Sequence, residues 1–447
     1  MTSATGIVAP VEVDQSAITI GTPVRLALLA GDDAELAMAR RVALASCADV
    51  VLSLRASGGG SLLERAAALR DARADAVLIA AGSGGDDLAE AVRLAYGDAA
   101  HPLILVAAPD RARERQVAAL AGFDPQGVAP GTTDYGRDAL VARVRALRRP
   151  SGDAYLRDES IEAAARALAI ATARSLVLVD VESEATTLAF SAADGTSFAA
   201  SAHVGIGANA DRVVARAGLD RVRRWVPRAV DGPALLDRVF NRARWPQAVP
   251  GTPLALAIEM AIARECIAYV LAQLEATGVD LAPLRAAKTI VCTGTPAGWP
   301  RPQQCVMTVL DALAPTAVHA IVRDNGDALV RAGARASRGS ADVLTTVRPV
   351  AIVAAMPPRR SFDVTVTDAS GAVDTRVTRG ALVLVPTHGA VELRVNGTLE
   401  ATASELELGV IIDARGRPLV LPARDAERLP ALARWTTALS VLPQDPV

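Results

Sequence analysis

Across residues 24–121 short aliphatic runs alternate with amphipathic stretches, and this rhythm limits the fold more than any other feature. "VRLALLAG" is followed by "DAELAMARRVALAS", "DVVLSL" by "SLLERAAALRDA", "DAVLIAAGSGG" by "DDLAEAVRLAY", and "PLILVAA" by "DRARERQVAALAG". Each run is too short for a helix and carries no polar alternation, so it reads as a strand buried on both faces. Strands of that kind, spaced by helices, build a parallel sheet with helices packed on it. Ser61 and Glu64 form a Ser-x-x-Glu pair that predicts the start of the second helix.

The rest of the chain divides by pattern. "ALVARVRALRRPSGD" and "SIEAAARALAIATA" predict helices leading into a second α/β unit. That unit opens with "LVLVDVESEATTLAF" at 176–190, a strand, a turn and a second strand. A long helix follows at 253–278, with Ile258, Ile262, Tyr269, Val270 and Leu274 expected on one side. From about residue 346 the period changes to two, and Asn396-Gly397 marks a hairpin turn. The expected divisions are a flexible tail over 1–22, an α/β half-module over 23–152, a second module over 153–345 and a β-rich domain over 346–447.

Composition removes several functions. The formal net charge is −2, so no strong pull towards nucleic acid or anionic membrane is built in. Lys288 is the single lysine and follows no glycine loop, which rules out a P-loop. Cys47, Cys266, Cys292 and Cys305 have no C-x-x-C spacing and are expected as reduced core residues, with no metal cluster. The N-terminus lacks the pattern of a signal peptide, and no apolar run reaches the ~20 residues of a spanning helix. A cytoplasmic protein with no membrane span is expected.

Three glycine turns are candidate anion sites. Gly205-x-Gly207-x-x-Ala210, with Asp231 downstream, fits a loose dinucleotide fingerprint. Gly82-Ser83-Gly84-Gly85 joins a strand to a helix, although Asp86 and Asp87 favour a plain N-capped turn. Gly294 follows an apolar strand between Thr293 and Thr295, but Pro296 removes a donor that a phosphate loop would use. Asp324 ends another strand, where it would face a metal or begin a turn. No Ser-His-Asp or Cys-His spacing stands out; a site built from distant segments leaves no such mark.

Taken in order, "SAHVGIG", "AGLDRVRRWVP", "IEMAIARE", "RDNGDALVRAGA" and "VIIDARGRPLVLP" resemble the glutamate mutase accessory protein family (MutL/GlmL). The resemblance runs from about residue 25 to the end. It implies actin-like (ribonuclease H-like) ATPase modules, the first incomplete, plus a small C-terminal β-domain. It also implies a cobalamin-dependent mutase or its subunit as the protein partner, with no cobalamin bound directly and with oligomerisation compatible. The family's Asp-Ile-Gly-Gly-Ala-Thr-Thr-Asp loop is matched here by Asp180, Ala185, Thr186 and Thr187. Thr293 and Gly294 match a second loop, and Asp324 and Gly333 a third segment; Asp180 would hold Mg²⁺ if Mg-ATP bound.

The departures are as informative. The family's Asp-x-Gly-Ser-Thr loop has no counterpart, the glycines after Asp180 are replaced, and Leu188 stands at the final Asp position. A carboxylate of Glu182 or Glu184 about 5 Å from a phosphate charge repels it by about 3 kcal/mol at an effective dielectric near 20, unless Mg²⁺ bridges them. Weak or lost nucleotide binding is expected, with Asp180 and Asp324 the catalytic residues only if the site is active. The expectation is a degenerate ATPase acting as scaffold or chaperone-like partner. The rivals are an ATP-dependent reactivating chaperone and a dinucleotide-binding α/β enzyme.

Overall fold

The four aliphatic runs become parallel strands, and a fifth strand joins them at one edge. The computed structural model describes residues 17–97, 100–131, 133–150, 154–337, 349–357 and 361–443. After β1 (Ile18–Thr19), the first domain runs β2 (Arg25–Ala30), α1 (Asp33–Ala45), β3 (Asp49–Arg55), α2 (Leu62–Ala72), β4 (Ala76–Ala80), α3 (Gly85–Tyr96), β5 (Leu103–Ala107), α4 (Asp110–Ala119), β6 (Gln126–Val128) and α5 (Asp134–Arg148). The sheet order is β3-β2-β4-β5-β6 and every pairing is parallel.

Alternate residues of these strands feed two separate cores. Ala27, Leu29, Val77, Ile79, Ile104 and Val106 pack under α2, α3 and α4. Leu26, Leu28, Leu78 and Leu105 pack under α1 and α5 on the other face. That is why the runs are apolar at every position. Where a half-module was expected, the chain forms an open, doubly wound domain with both faces of an all-parallel five-stranded sheet covered. The capping box at Ser61 and Glu64 forms as expected.

The expected tail over 1–22 is also corrected in part. Residues 1–16 lie outside the described residues, but β1 pairs in parallel with β7 (Tyr155–Leu156), and the Thr22 amide donates to the Arg148 carbonyl at 2.8 Å. Residues 18–22 are thus stitched to the junction between the two units.

The second unit contains α6 (Arg157–Thr172), β8 (Leu176–Val181), β9 (Thr186–Ser191), β10 (Ser197–Ala202), α7 (Ala210–Ala217), α8 (Leu219–Arg223), α9 (Gly232–Arg244), α10 (Pro253–Ala276), α11 (Ala282–Arg285), β11 (Thr289–Gly294), α12 (Pro302–Leu313), β12 (Val318–Arg323) and α13 (Ala328–Ala336). Strands β8, β9 and β10 form an antiparallel meander, and β11 and β12 lie parallel to β8. The order of these five is β10-β9-β8-β11-β12.

Helix α10 departs from the expected single apolar face. Every residue from Leu256 to Ile267 is buried, because sheet, α12 and the α7–α8 pair enclose it.

The C-terminal region follows as β13 (Pro349–Ala355), β14 (Ser361–Asp368), β15 (Gly371–Thr378), β16 (Leu382–Val385), β17 (Val391–Val395), β18 (Thr398–Ala403), β19 (Gly409–Asp413) and α14 (Asp425–Ala438). It is not a separate domain as expected. Strands β13, β19 and β16 extend the sheet of the second unit to eight strands. Only β15-β14-β17-β18 form an independent antiparallel sheet, which packs Phe362, Val364 and Leu393 against Ile352, Val410 and Ile412 of the large one. The Asn396-Gly397 turn has φ of 49° and 82° and closes the β17–β18 hairpin as expected. Among the described residues no helix is long and apolar enough to cross a membrane.

Candidate functional site

Asp180 sits at the end of β8, 2 % exposed, beside the hairpin tip that carries Glu182. Facing it is Arg157, the first residue of α6, which none of the sequence motifs marks. The guanidinium donates through Nε and Nη2 to Asp180 at 2.9 and 2.8 Å, and through Nη1 and Nη2 to Asp327 at 2.8 Å each. Glu182 Oε1 lies 2.9 Å from the same Nη2. One planar cation thus holds three carboxylates together.

The charge balance is uneven. Burial pushes the Asp180 carboxyl above its ordinary value, with Arg157 opposing and Asp327 adding to the rise. Burial likewise pushes Glu182 up to about 7, against the pull of Arg157 and with repulsion from Asp180 and Asp327. Burial and its acidic neighbours thus favour the protonated form of Glu182.

Thr293 and Gly294, at the end of β11, belong to this cluster. Thr293 Oγ1 donates to Asp327 at 3.1 Å and approaches Asp324 at 3.4 Å. Gly294 has φ of 73°, and a Cβ there would lie 2.6 Å from the Val181 carbonyl and 2.8 Å from Asp180 Oδ1. The glycine lets β11 approach the Asp180 side chain.

The other expected residues are used by the fold. Asp324 accepts from the Ala328 and Leu329 amides at 2.9 Å each, capping α13, and burial raises its carboxyl. Thr186 donates to the Val204 carbonyl at 2.8 Å, and Thr187 pairs with Ser201 at 2.9 Å. Gly333 has no place in the cluster: a Cβ there would overlap the Ser160 carbonyl of α6, so the glycine serves the α6–α13 contact.

The dinucleotide reading of Gly205 and Gly207 is corrected. These residues follow β10, an antiparallel edge strand, where a dinucleotide turn needs a parallel β-α-β unit. The Ile206 and Gly207 amides donate to the Glu182 and Ser183 carbonyls at 2.9 and 3.0 Å, and Ala208 donates to Ser183 Oγ at 2.9 Å. The donors that would cradle a pyrophosphate instead close over the hairpin tip. Asp231 caps α9 by accepting from Ala234.

Gly82 to Gly85 also carries a different cap from the one expected. Gly84, with φ of 68°, is the N-cap of α3 and no side chain caps it. Glu35 of α1 instead accepts from the Gly31 and Gly82 amides at 2.9 Å each, placing a resident carboxylate between the two loops.

Around Asp180 the remaining space is small. Ile20, Cys47, Arg148, Arg157, Asp158, Asp180, Glu182, Ala185 and Thr187 enclose a cavity of about 10 Å³, room for one water-sized molecule. The cavity is far smaller than a nucleotide triphosphate, and the backbone of residues 206–208 covers the hairpin tip.

Three of the stretches behind the family resemblance meet elsewhere. Glu265 of "IEMAIARE" accepts from Trp225 Nε1 at 2.7 Å and pairs with Arg224 at 2.9 Å, both from "RWVP". Its neighbour Arg264 donates to Asp311 at 2.8 Å, and Asp311 faces Arg415 of "VIIDARGRPLVLP" at 2.8 Å. Arg415 donates in turn to Asp413 at 2.8 Å, which is held well down by Arg415 and Arg417 against the opposing effect of burial. These motifs build a buried ionic joint and do not contribute to the cluster around Asp180. No family model and no curated protein matches this chain.

Proposed function

We propose that the protein is a divergent relative of the glutamate mutase accessory proteins: an actin-like fold whose nucleotide site has become an internal ion cluster, acting as a scaffold or chaperone-like partner of another protein. The bidentate clamp of Arg157 on Asp180 and Asp327 carries the reading. A guanidinium fixed there does the electrostatic work of a metal without leaving room for a ligand. The β10-β9-β8-β11-β12 order, with an antiparallel meander followed by two parallel strands, is the arrangement of a ribonuclease H-like unit, and supports the actin-like assignment. Asp180 at the first strand of the meander stands where such units place their first phosphate loop.

The partner class comes from the resemblance alone: an adenosylcobalamin-dependent mutase or one of its subunits. Titration calorimetry of the full chain with Mg-ATP tests the nucleotide half. No heat of binding is expected up to millimolar ATP. Micromolar binding that Asp180→Ala abolishes would establish a working reactivating ATPase instead, and binding of NAD in its place would favour a dinucleotide enzyme.

A further inference from the structure

The junction between the two units carries a second constellation, which shares its small cavity with the Asp180 cluster. Cys47 follows the end of α1 in a left-handed turn, φ 51°. Its Sγ lies 3.7 Å from His203 Nε2, and His203 Nδ1 lies 3.6 Å from Asp49 Oδ1. Cys47 and His203 are each 1 % exposed. Asp49 is also paired with Arg212 and Arg216 at 3.1 Å each. Burial opposes charge on the imidazole, but Asp49 and Cys47 outweigh it and push His203 up to about 9.

Arg148 completes the setting. Its Nη1 donates to the Ser46 carbonyl at 2.7 Å, next to Cys47, while its fully buried Nε has no hydrogen-bond acceptor. Both Arg148 and Cys47 line the cavity of about 10 Å³ described above. That cavity is too small for an acyl substrate, which argues against a thiol hydrolase, yet it suits a reactant little larger than water. The thiolate is the reactive form of a cysteine, and His203 lies within reach of the Cys47 sulfur to take its proton.

We infer that Cys47 is a peroxide-reactive modification site: with its sulfur paired to His203 and beside the Arg148 guanidinium, it is oxidised to the sulfenic acid by hydrogen peroxide entering the junction cavity. The thiolate sulfur attacks one peroxide oxygen and the O–O bond breaks. The departing hydroxide takes the proton of the His203 imidazolium and leaves as water; sulfur is oxidised by two electrons and the peroxide is reduced by two. Two of the other three cysteines differ from it in their thiols. All are buried, and burial raises the Cys266 thiol far above its ordinary value. For Cys292, hydrogen bonding to Cys305 and then burial do the same.

The test oxidises the native full-length chain with dilute hydrogen peroxide, removes the excess with catalase, and then unfolds it in dimedone, since dimedone is too large for the cavity. Peptide mass spectrometry is expected to find one adduct, on Cys47, which Cys47→Ser removes. His203→Gln is expected to slow formation at pH 7 at least tenfold and to move the pH–rate profile upward, a shift that a merely structural role would not produce. Where that variant fails to fold, Asp49→Asn serves, with the same direction expected. Adducts spread over all four cysteines, no adduct on Cys47, or an unchanged rate and profile in the folded variant would overturn the assignment.

Discussion

Asp180 was legible in the sequence as the residue at the end of an apolar strand, but its partner was not. Arg157 is one of many arginines, and nothing in "YLRDES" sets it apart. Its role exists only because α6 begins opposite β8. Removing it by Arg157→Ala leaves three clustered carboxylates without their cation, at an expected cost of about 3–5 kcal/mol in denaturant unfolding at pH 7.5. The loss should shrink near pH 5 as the carboxylates protonate, and Arg157→Lys should recover little of it because an ammonium cannot form both forks. Glu182 supplies a signed pH test. Its carboxyl stands at about 7 in the folded chain against an ordinary 4.5. The folded state therefore holds the proton more tightly, so its stabilising effect is complete below about 4.5 and is lost as pH rises through 7. Glu182→Gln should flatten that fall and exceed the wild type by on the order of 2 kcal/mol at pH 8.

At the scale of elements, strands and helices of the first domain were readable because each carries its own period or cap. The hairpin β8–β9 was equally clear. The replacement of glycine by Glu182, Ser183 and Glu184 was legible too, but not that the backbone of residues 206–209 closes over this loop. Gly333 was misread, because a glycine required for helix contact and one required for a ligand look alike in sequence. Gly333→Ala should part α13 from α6 and lower stability by about 1–3 kcal/mol, read as a shift in urea midpoint with ATP present or absent alike. A loss seen only with ATP present would return Gly333 to a nucleotide site. Helix α10 was misjudged for a related reason: three charged residues in its buried run, Glu259, Arg264 and Glu265, imitate a solvated face but are paired inside.

For the whole molecule, the decisive feature is the junction. Asp158 of α6 is fully enclosed and accepts from Arg148 at 3.0 and 2.9 Å and from Arg145 at 3.3 Å, binding the first domain to the second. Arg41 reaches across to the Thr277 carbonyl at 3.0 Å through Nε. With these ties the chain is expected to unfold in one calorimetric transition. Asp158→Ala, which leaves the buried Arg148 guanidinium without its carboxylate, should separate it into two. A single unshifted transition in the variant would show that the junction contributes little.

The sequence by itself determined the layered α/β class, the parallel first sheet, the hairpin at Asp180 and the turn at Asn396-Gly397, since each follows from local periodicity or backbone preference. Only the tertiary structure decided what the polar residues do. Arg157 meets Asp327 across 170 positions and Cys47 meets His203 across 156. Whether such a group is a ligand, a plug or a reactive thiol depends on the charges and desolvation that its neighbours impose. Those neighbours come from distant segments, and no local spacing encodes them.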